Sequence, residues 1–424
     1  MSAPIPAPPK SVLLTPVKLL AMLTVMGWML CMVWPRLLVL LGIASYGRWY
    51  LDSYAILAAI DALRAGLDPT APNPLDPLGR DHKYSDWWFA LRWLGVTRAS
   101  NFLVGSAWVG AFAMAAWRTV RPRNFREVGW LTVLLISPPV LLAVHRANND
   151  LVIFTLLAVA GVAAAGTTWV RQVLALGALV LATGLKFYPA VAAGAWLWTR
   201  PLRRMPVVVF FALLGAALTL ASIWPQLSRG QFSLPSTLHT MGAPLLWRDL
   251  GWSGPGSLWI GVGLINFAAV LLALGRFTTG LAAEGDLEER LLAALGAIVL
   301  LACFTAGINY AYRWIYALWM GLWLWRRAAA PGRSRHRWMV RLGCLLLFLC
   351  VWLDGLLALT VNVLFSPVSP AGQQELQLIW RLCTQPLHWL LMMLLAGWLL
   401  EGAIAIVREW ATDRSRPIAD REPV

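Results

Sequence analysis

Charged residues are few in this chain: 13% of its 424 residues, against 59% that are hydrophobic. Acidic side chains are the scarcer sign, 20 against 35 basic ones. A soluble domain of this size cannot hide so much apolar surface, so the composition calls for lipid as the solvent. Cysteine is sparse too. Cys31, Cys303, Cys344, Cys350 and Cys383 are scattered, none at metal-ligand spacing, which argues against a disulfide framework and indicates no metal site. Also missing are a Gly-rich nucleotide loop, a Walker pattern and a Ser-His-Asp arrangement. No soluble basic face with interleaved aromatics exists, so the chain is not expected to bind nucleic acid. With no fixed-period repeat and no second soluble domain, residues 1–424 read as a single polytopic membrane domain. The Pro-rich start MSAPIPAPPKSVLLTPVK leads into an apolar run with no small-residue cleavage site after it, so that run is expected to be a retained helix.

Long apolar runs recur from end to end. A bilayer core of about 30 Å takes about 20 apolar residues per helical crossing. Backbone groups in lipid must be satisfied internally, and runs this long and unalternating do not suit barrel strands. The expected fold is therefore an all-α integral membrane bundle of about 12 crossings. They fall near 17–44, 100–117, 128–144, 151–168, 172–186, 189–199, 206–224, 256–274, 290–306, 312–325, 338–360 and 387–406. Pro35-Arg36 predicts a kink in the first, and 189–199 is short enough to be a partial helix.

The net charge of +15 is distributed in a regular way. Alternate connections hold Arg118, Arg121, Arg123 and Arg126; Arg171; Arg200, Arg203 and Arg204; Arg276; then Arg326, Arg327, Arg333, Arg335 and Arg337. The tail, 407–424, adds Arg408, Arg414, Arg416 and Arg421. By the positive-inside rule these connections, the start (1–16) and the tail are cytoplasmic. The long connections 45–99, 225–255 and 361–386 then lie outside, and the 26 Trp suit the two membrane–water interfaces.

The outer segment 45–99 is the one large extramembrane piece. From Ser53 to Ala65 it reads as a short helix, ended by Gly66, with Ile56, Leu57, Ile60 and Leu63 on one face. That spacing suits a helix lying in the interface plane. Asp52 stands where an N-cap would stand, and an N-cap role and a catalytic role are compatible. Charges at membrane depth are costly and mark functional candidates. His145, Arg146, Asn148, Asn149 and Asp150 cluster at one outer end; Lys186 follows an apolar run, before Tyr188; Arg313 follows Asn309 and Tyr312 at another. Arg146, Lys186 and Arg313 thus form a set of cations at one depth, on the side of Asp52. Arg offers phosphate a bidentate fork and Lys a compact charge. Snorkelling with local pairing, Arg146 to Asp150, is the structural alternative. In the outer connections, His239, Asp86 and Asp249 are weaker candidates for an acceptor side. Asp354, within an apolar run, has no assigned role.

Three of these stretches together resemble the polyprenyl-phosphate-sugar-dependent glycosyltransferases of the GT-C fold, specifically glycosyltransferase family 87. They are Asp52 opening a helix through Tyr54, Ala58, Leu63 and Gly66; Arg146-Ala147-Asn148-Asn149-Asp150-Leu151 followed by Leu185-Lys186-Phe187-Tyr188-Pro189; and Gly307-Ile308-Asn309-Tyr310-Ala311-Tyr312-Arg313. The likeness covers roughly residues 45–325, and departs from the pattern at Ala311 and His145, where acidic residues are frequent. It implies an inverting mannosyltransferase-like enzyme of the bacterial inner membrane. A polyprenyl-phosphate hexose is the implied donor, a glycan or glycolipid the acceptor, and no cofactor is implied. Asp52 is the implied general base, and Arg146, Lys186 and Arg313 the donor-phosphate cations. Two other function classes fit the residues: a transporter or flippase of lipid-linked glycan, and a non-catalytic membrane scaffold for envelope assembly.

Overall fold

The computed structural model describes residues 15–43, 48–198, 205–229, 239–252, 256–274, 286–329, 334–364 and 370–414. Arg200, Arg203, Arg204, Arg276, Arg333, Arg416 and Arg421 lie outside the described residues, as does most of the Pro-rich start. The protein is all-α. Its helices are α1 (Pro16–Val33), α2 (Arg36–Leu40), α3 (Leu51–Arg64), α4 (Asn101–Thr119), α5 (Phe125–Leu135), α6 (Pro138–Arg146), α7 (Asp150–Ala164) and α8 (Trp169–Leu185). Then follow α9 (Met205–Ser228), α10 (Ala243–Asp249), α11 (Gly256–Leu274), α12 (Leu287–Ala306), α13 (Ala317–Ala329), α14 (Ser334–Leu364) and α15 (Pro370–Arg414). Among the described residues the one sheet is a two-residue antiparallel pairing, β1 (Thr240–Met241) with β2 (Asn309–Tyr310). Three-ten helices cover Asp86–Leu94, Tyr188–Trp198 and Ala311–Tyr316.

Among the described residues, six helices are long and apolar enough to cross a membrane, and a seventh crossing arises if the bent pair α5–α6 counts as one. Among the described residues, fewer helices than the twelve expected crossings meet that length and apolarity. The predicted 17–44 run divides into α1 and α2 at Trp34-Pro35, as the proline requires. The predicted 128–144 run is bent by 59° where Ser137-Pro138-Pro139 removes two backbone donors. Of the remaining apolar helices, α7 has 15 residues, about 22 Å at 1.5 Å per residue, and is closed in by protein. Leu292 of α12 comes so close to Gly161 of α7 that an added Cβ would lie 2.6 Å from its methyl carbon. Small residues allow such close helix approach where lipid gives no hydrophobic drive.

The bundle has two charged ends of different character. At one, Arg118 meets Glu288 at 2.9 Å, Arg326 meets Glu127 at 2.9 Å and Glu289 at 2.8 Å, and Arg123 meets Glu289 at 3.4 Å. The end of α4, the starts of α5 and α12 and the end of α13 therefore share one end, as the alternation of Arg-rich connections predicts. Asp52, Arg146, Lys186 and Arg313 gather at the other. Glu127 is the hub of the first end: buried, it also accepts from the Arg123 backbone N–H at 2.8 Å. Glu127→Gln keeps the shape and removes the charge, and is expected to cost roughly 1–3 kcal/mol, the worth of a charge-assisted hydrogen bond. A lowered melting midpoint in detergent checks it.

Helix α3 is covered more than an interfacial helix would be. Leu51, Asp52, Ser53, Ile56 through Ile60 and Ala62 are all buried, while Leu63 is only partly so. It packs on α4, α6 and the three-ten helix 86–94. Its N-cap is Tyr50, in the left-handed region at φ 61°, and Asp52 makes no capping bond. The N-cap reading of Asp52 is thereby corrected: its carboxylate is used elsewhere.

Candidate functional site

Asp52 points from the first turn of α3 at the end of α6. Its Oδ1 accepts from Arg146 Nη2 at 2.8 Å and Nε at 3.1 Å, and Asn148 Nδ2 donates to Oδ2 at 2.6 Å. The local fold that brings both donors to one carboxylate is a left-handed turn at Ala147, φ 41°, between them. Tyr50 and Ala147 are the non-glycine residues of positive φ among those described, and they flank the same contact. The Tyr50 backbone N–H donates to His145 O at 3.0 Å, tying the start of α3 to the end of α6. Left-handed backbone at non-glycine residues costs energy and concentrates at functional sites.

Asp150 opens α7 beside this contact and is wholly buried. Its backbone N–H donates to Asn148 Oδ1 at 2.9 Å. Its Oδ1 accepts from Lys186 Nζ and from the Tyr188 hydroxyl, the latter at 2.7 Å, while Arg313 Nε stands 3.8 Å from Oδ2. Lys186 also donates to Asn149 Oδ1 at 2.8 Å, and Arg313 to Asn309 Oδ1. The hydroxyls of Tyr188 and Tyr316 are 2.6 Å apart. Local pairing of Arg146 with Asp150 does not occur; each takes a more distant partner. Gly184, two residues before Lys186, has Trp87 of the 86–94 helix against it, and an added Cβ would lie 2.1 Å from that ring. The glycine lets the loop close over this end of α8.

Aromatic rings join the two ion pairs into one cluster. Lys186 Nζ lies 5.9, 5.6 and 5.9 Å from the ring centres of Tyr84, Tyr188 and Tyr312. Arg146 stands 5.7 Å from the Tyr310 ring, Arg313 4.8 Å from Tyr188, and Tyr310 stacks on Tyr312 at 5.5 Å. Tyr84, Tyr188, Tyr310, Tyr312 and Tyr316 are five of the eight tyrosines in the chain, so this residue type is concentrated at the cluster. Burial and the nearby Asp52 carboxylate hold the Tyr84 phenol well above its ordinary range, so it stays a neutral hydrogen-bonding group. For Asp52, burial pushes the carboxyl up, but Arg146, Arg80 and the Asn148 hydrogen bond outweigh it and keep it below the usual range.

Known families, curated proteins and solved structures offer no match to this chain. Its function must therefore be argued from the cluster itself.

Of the residues singled out in sequence, Asp52, Arg146, Asn148, Asn149, Asp150, Lys186, Tyr188, Asn309, Tyr312 and Arg313 come together here. Three do not join them. His239 is buried, with Nε2 2.8 Å from Leu41 O, while its carbonyl accepts from Ala311 N–H at 3.0 Å. Burial pushes its imidazole down to about 4, so it is neutral at pH 7 and anchors β1 rather than serving as a free base. Asp249 is held by Arg381 of α15 at 2.8 Å. Asp86 is exposed at the start of its three-ten helix, its backbone N–H donating to Ser222 Oγ at 3.3 Å, with its carboxyl raised by partial burial. Ala311, at a departure from the family pattern, is buried against β1, and His145, at the other, packs edge-on against Trp49.

Sequence reading missed Arg80, Tyr84's role and Tyr316. Arg80 lies in a polar loop without periodicity, and nothing in its neighbours signals that it reaches 28 residues back to Asp52. Tyr316 was discoverable: it extends the run Tyr310, Tyr312, Arg313 by one turn.

Proposed function

We propose that this protein is a membrane glycosyltransferase that moves a hexose, mannose by default, from a polyprenyl-phosphate donor to a glycan or glycolipid acceptor at the outer face. The observation that carries the reading is the gathering of two ion pairs, Asp52 with Arg146 and Asp150 with Lys186 beside Arg313, drawn from separated segments into one cluster at the end of the bundle opposite the Arg-rich one. Exposure supports the assignment of roles. The cations keep 18, 13 and 16% of their side-chain surface open, while Asp52 and Asp150 keep 3 and 0%. Burying an ion pair costs desolvation energy that apolar packing would avoid, so a cluster this polar argues for a ligand.

In this reading Asp52 takes the proton of the acceptor hydroxyl as its oxygen bonds to the anomeric carbon. The bond from that carbon to the phosphate oxygen breaks on the opposite side, and its electron pair leaves with the lipid phosphate. Arg146, Lys186 and Arg313 stabilise the charge gained there, more in the transition state than in the ground state. The rings of Tyr84, Tyr310 and Tyr312 line the approach, and Asn148 orients the carboxylate. About twelve traverses belong to the same proposal. In it the shorter helices α7, α8, α11 and α13 and the three-ten helix 188–198 complete the count, both termini are cytoplasmic, and the membrane is the bacterial inner membrane.

The test is transfer of labelled hexose from polyprenyl-phosphate to acceptor by the purified protein in liposomes. Wild type is expected to transfer. Asp52→Asn is expected to stay folded and lose about 10²-fold or more, the scale of general-base catalysis; full activity in that variant ends the base assignment. The 59° break between α5 and α6, which delivers Arg146, also suits a carrier of lipid-linked glycan. Translocation across vesicles without new glycosidic bonds would decide for that reading.

A further inference from the structure

Arg80 differs from the other cations in how it is held. Three N–H groups converge on Asp52 Oδ1: Arg146 Nη2 at 2.8 Å, Arg146 Nε at 3.1 Å and Arg80 Nη1 at 3.3 Å. A carboxylate oxygen offers about two lone-pair sites, so one donor is in surplus, and the longest contact is Arg80's. Its other contacts are close. Nε donates to Asp76 Oδ2 at 2.9 Å and Nη2 to Leu51 O at 2.7 Å. With 24% of its side chain exposed, it is also more open than Arg146, Lys186 or Arg313.

Its setting allows movement without repacking a helix. Arg80 lies in the loop between α3 and the 86–94 helix, which is built from local side-chain turns. Asp68 accepts from Thr70 N–H at 2.8 Å, Asn73 from Leu75 N–H at 2.9 Å and Asp76 from Leu78 N–H at 2.9 Å. Asp76 is buried and fixed by its own turn, so it can keep Nε at 2.9 Å and, more loosely, Nη2 at 3.4 Å while Nη1 turns from Asp52. Arg146, by contrast, sits at the end of α6 with Nη2 and Nε both committed to Asp52.

We propose that Arg80 captures the anionic group of the ligand and, in turning from Asp52 to do so, leaves that carboxylate readier to accept a proton. The ligand class, a phosphoester of a prenyl lipid, rests on the transferase reading above. Asp76 is the tether that keeps the guanidinium at the site during the exchange. Burial pushes the Asp52 carboxyl up, and Arg146 and Arg80 are the cations that oppose it; withdrawing Arg80 therefore moves the carboxyl upward. Linkage makes the coupling reciprocal: anion binding favours protonation of Asp52, and protonation favours the anion. A base loaded in this way is held unreactive until the donor is seated.

A short-chain prenyl methyl phosphodiester is a suitable probe, because its single charge does not change with mild acid. Dicyclohexylcarbodiimide reacts with protonated carboxyls in apolar surroundings, so the pH dependence of Asp52 labelling, read by peptide mass spectrometry, reports its titration in the full-length protein. In wild type the diester is expected to move the labelling midpoint up by about one pH unit, the scale of one lost counter-charge. In Arg80→Gln the midpoint is expected to start higher by a similar amount and not respond, with diester affinity about tenfold weaker. Arg80→Lys keeps the charge but not the fork. It is expected to bind more weakly than wild type and respond less, and it carries the test if the Gln variant does not fold.

The proposal is overturned if wild type does not bind the diester, if its midpoint ignores the diester, or if Arg80→Gln binds and responds as wild type does. Failure of the two ideas is distinguishable. Sugar transfer that is found while Asp52 ignores the diester ends this inference alone. A diester response that runs through Arg80 with no sugar transferred ends the transferase reading alone.

Discussion

Asp150→Ala is expected to destabilise the bundle by about 3–5 kcal/mol, the cost of removing one partner from a buried charge pair. Asp150 is wholly buried and serves several groups at once: Lys186, the Tyr188 hydroxyl at 2.7 Å, and Arg313 at 3.8 Å. Removing its carboxylate leaves two cations mostly out of water, with tyrosine rings, the amides of Asn149 and Asn309 and the Cys303 side chain around them but no carboxylate in contact. The comparison with Asp52 is informative. Asp52→Asn keeps a polar group of the same shape next to Arg146, whereas Ala at 150 offers nothing. A companion change separates charge from packing. In Asp150→Ala/Lys186→Met one stranded cation is removed, and part of the lost stability is expected to return. Cys303, Cys344 and Cys350 are buried and free, so the labelling by a thiol-reactive dye beyond that of the part-exposed Cys31 and exposed Cys383 reports unfolding in detergent. An unchanged midpoint in Asp150→Ala would mean that the cluster contributes nothing to holding α7, α8 and the 311–316 helix together.

The hydrophobic runs made the helical membrane architecture legible, because backbone satisfaction in lipid leaves little choice. The alternation of arginines made the two ends legible as well: Arg118, Arg123 and Arg326 do meet at one end, and Arg146, Lys186 and Arg313 at the other. Helix lengths were not legible. A run of apolar residues does not say whether Pro138-Pro139 will bend it by 59° or whether 188–198 will wind as a three-ten helix. Those outcomes depend on neighbours that cover the freed backbone groups. At the site, charged residues beside apolar runs could be found one by one, because each is costly there. Their pairing could not. Local spacing suggested Arg146 with Asp150, but the turn at Ala147 aims Arg146 at Asp52, and Asp150 turns to Lys186 and Arg313 instead. Arg80 was invisible for the opposite reason: in a polar loop an arginine costs nothing, so its position carries no signal until the loop is folded back.

Arg146→Met is expected to lower sugar transfer by about 10²–10³-fold, the scale of losing one preorganised electrostatic donor, and to do so in a pH-dependent way. Arg146 touches Asp52 at 2.8 Å and keeps 18% of its side chain open, so in the proposed reaction it would serve both the base and the leaving group. In wild type burial raises the Asp52 carboxyl, and Arg146, followed by Arg80 and Asn148, brings it below its ordinary value. A carboxyl depressed in the folded state adds stability that is present above its unfolded value of about 3.9 and lost as pH falls through the folded value. Wild type therefore keeps Asp52 charged, and the base usable, throughout mild acid. In the Met variant the burial remains and its largest opponent is gone, so the carboxyl moves up and the acid limb of kcat/KM against pH moves up with it. The loss is expected to be greater at about pH 5 than at about pH 8, where only the missing phosphate contact counts. Arg146→Lys, which restores the charge without the fork, is expected to bring the limb back most of the way while recovering less of the rate. A limb that stays where wild type has it in the Met variant would show that Arg146 is not what holds Asp52 ionised, and the pairing at the centre of the site would lose its mechanistic meaning.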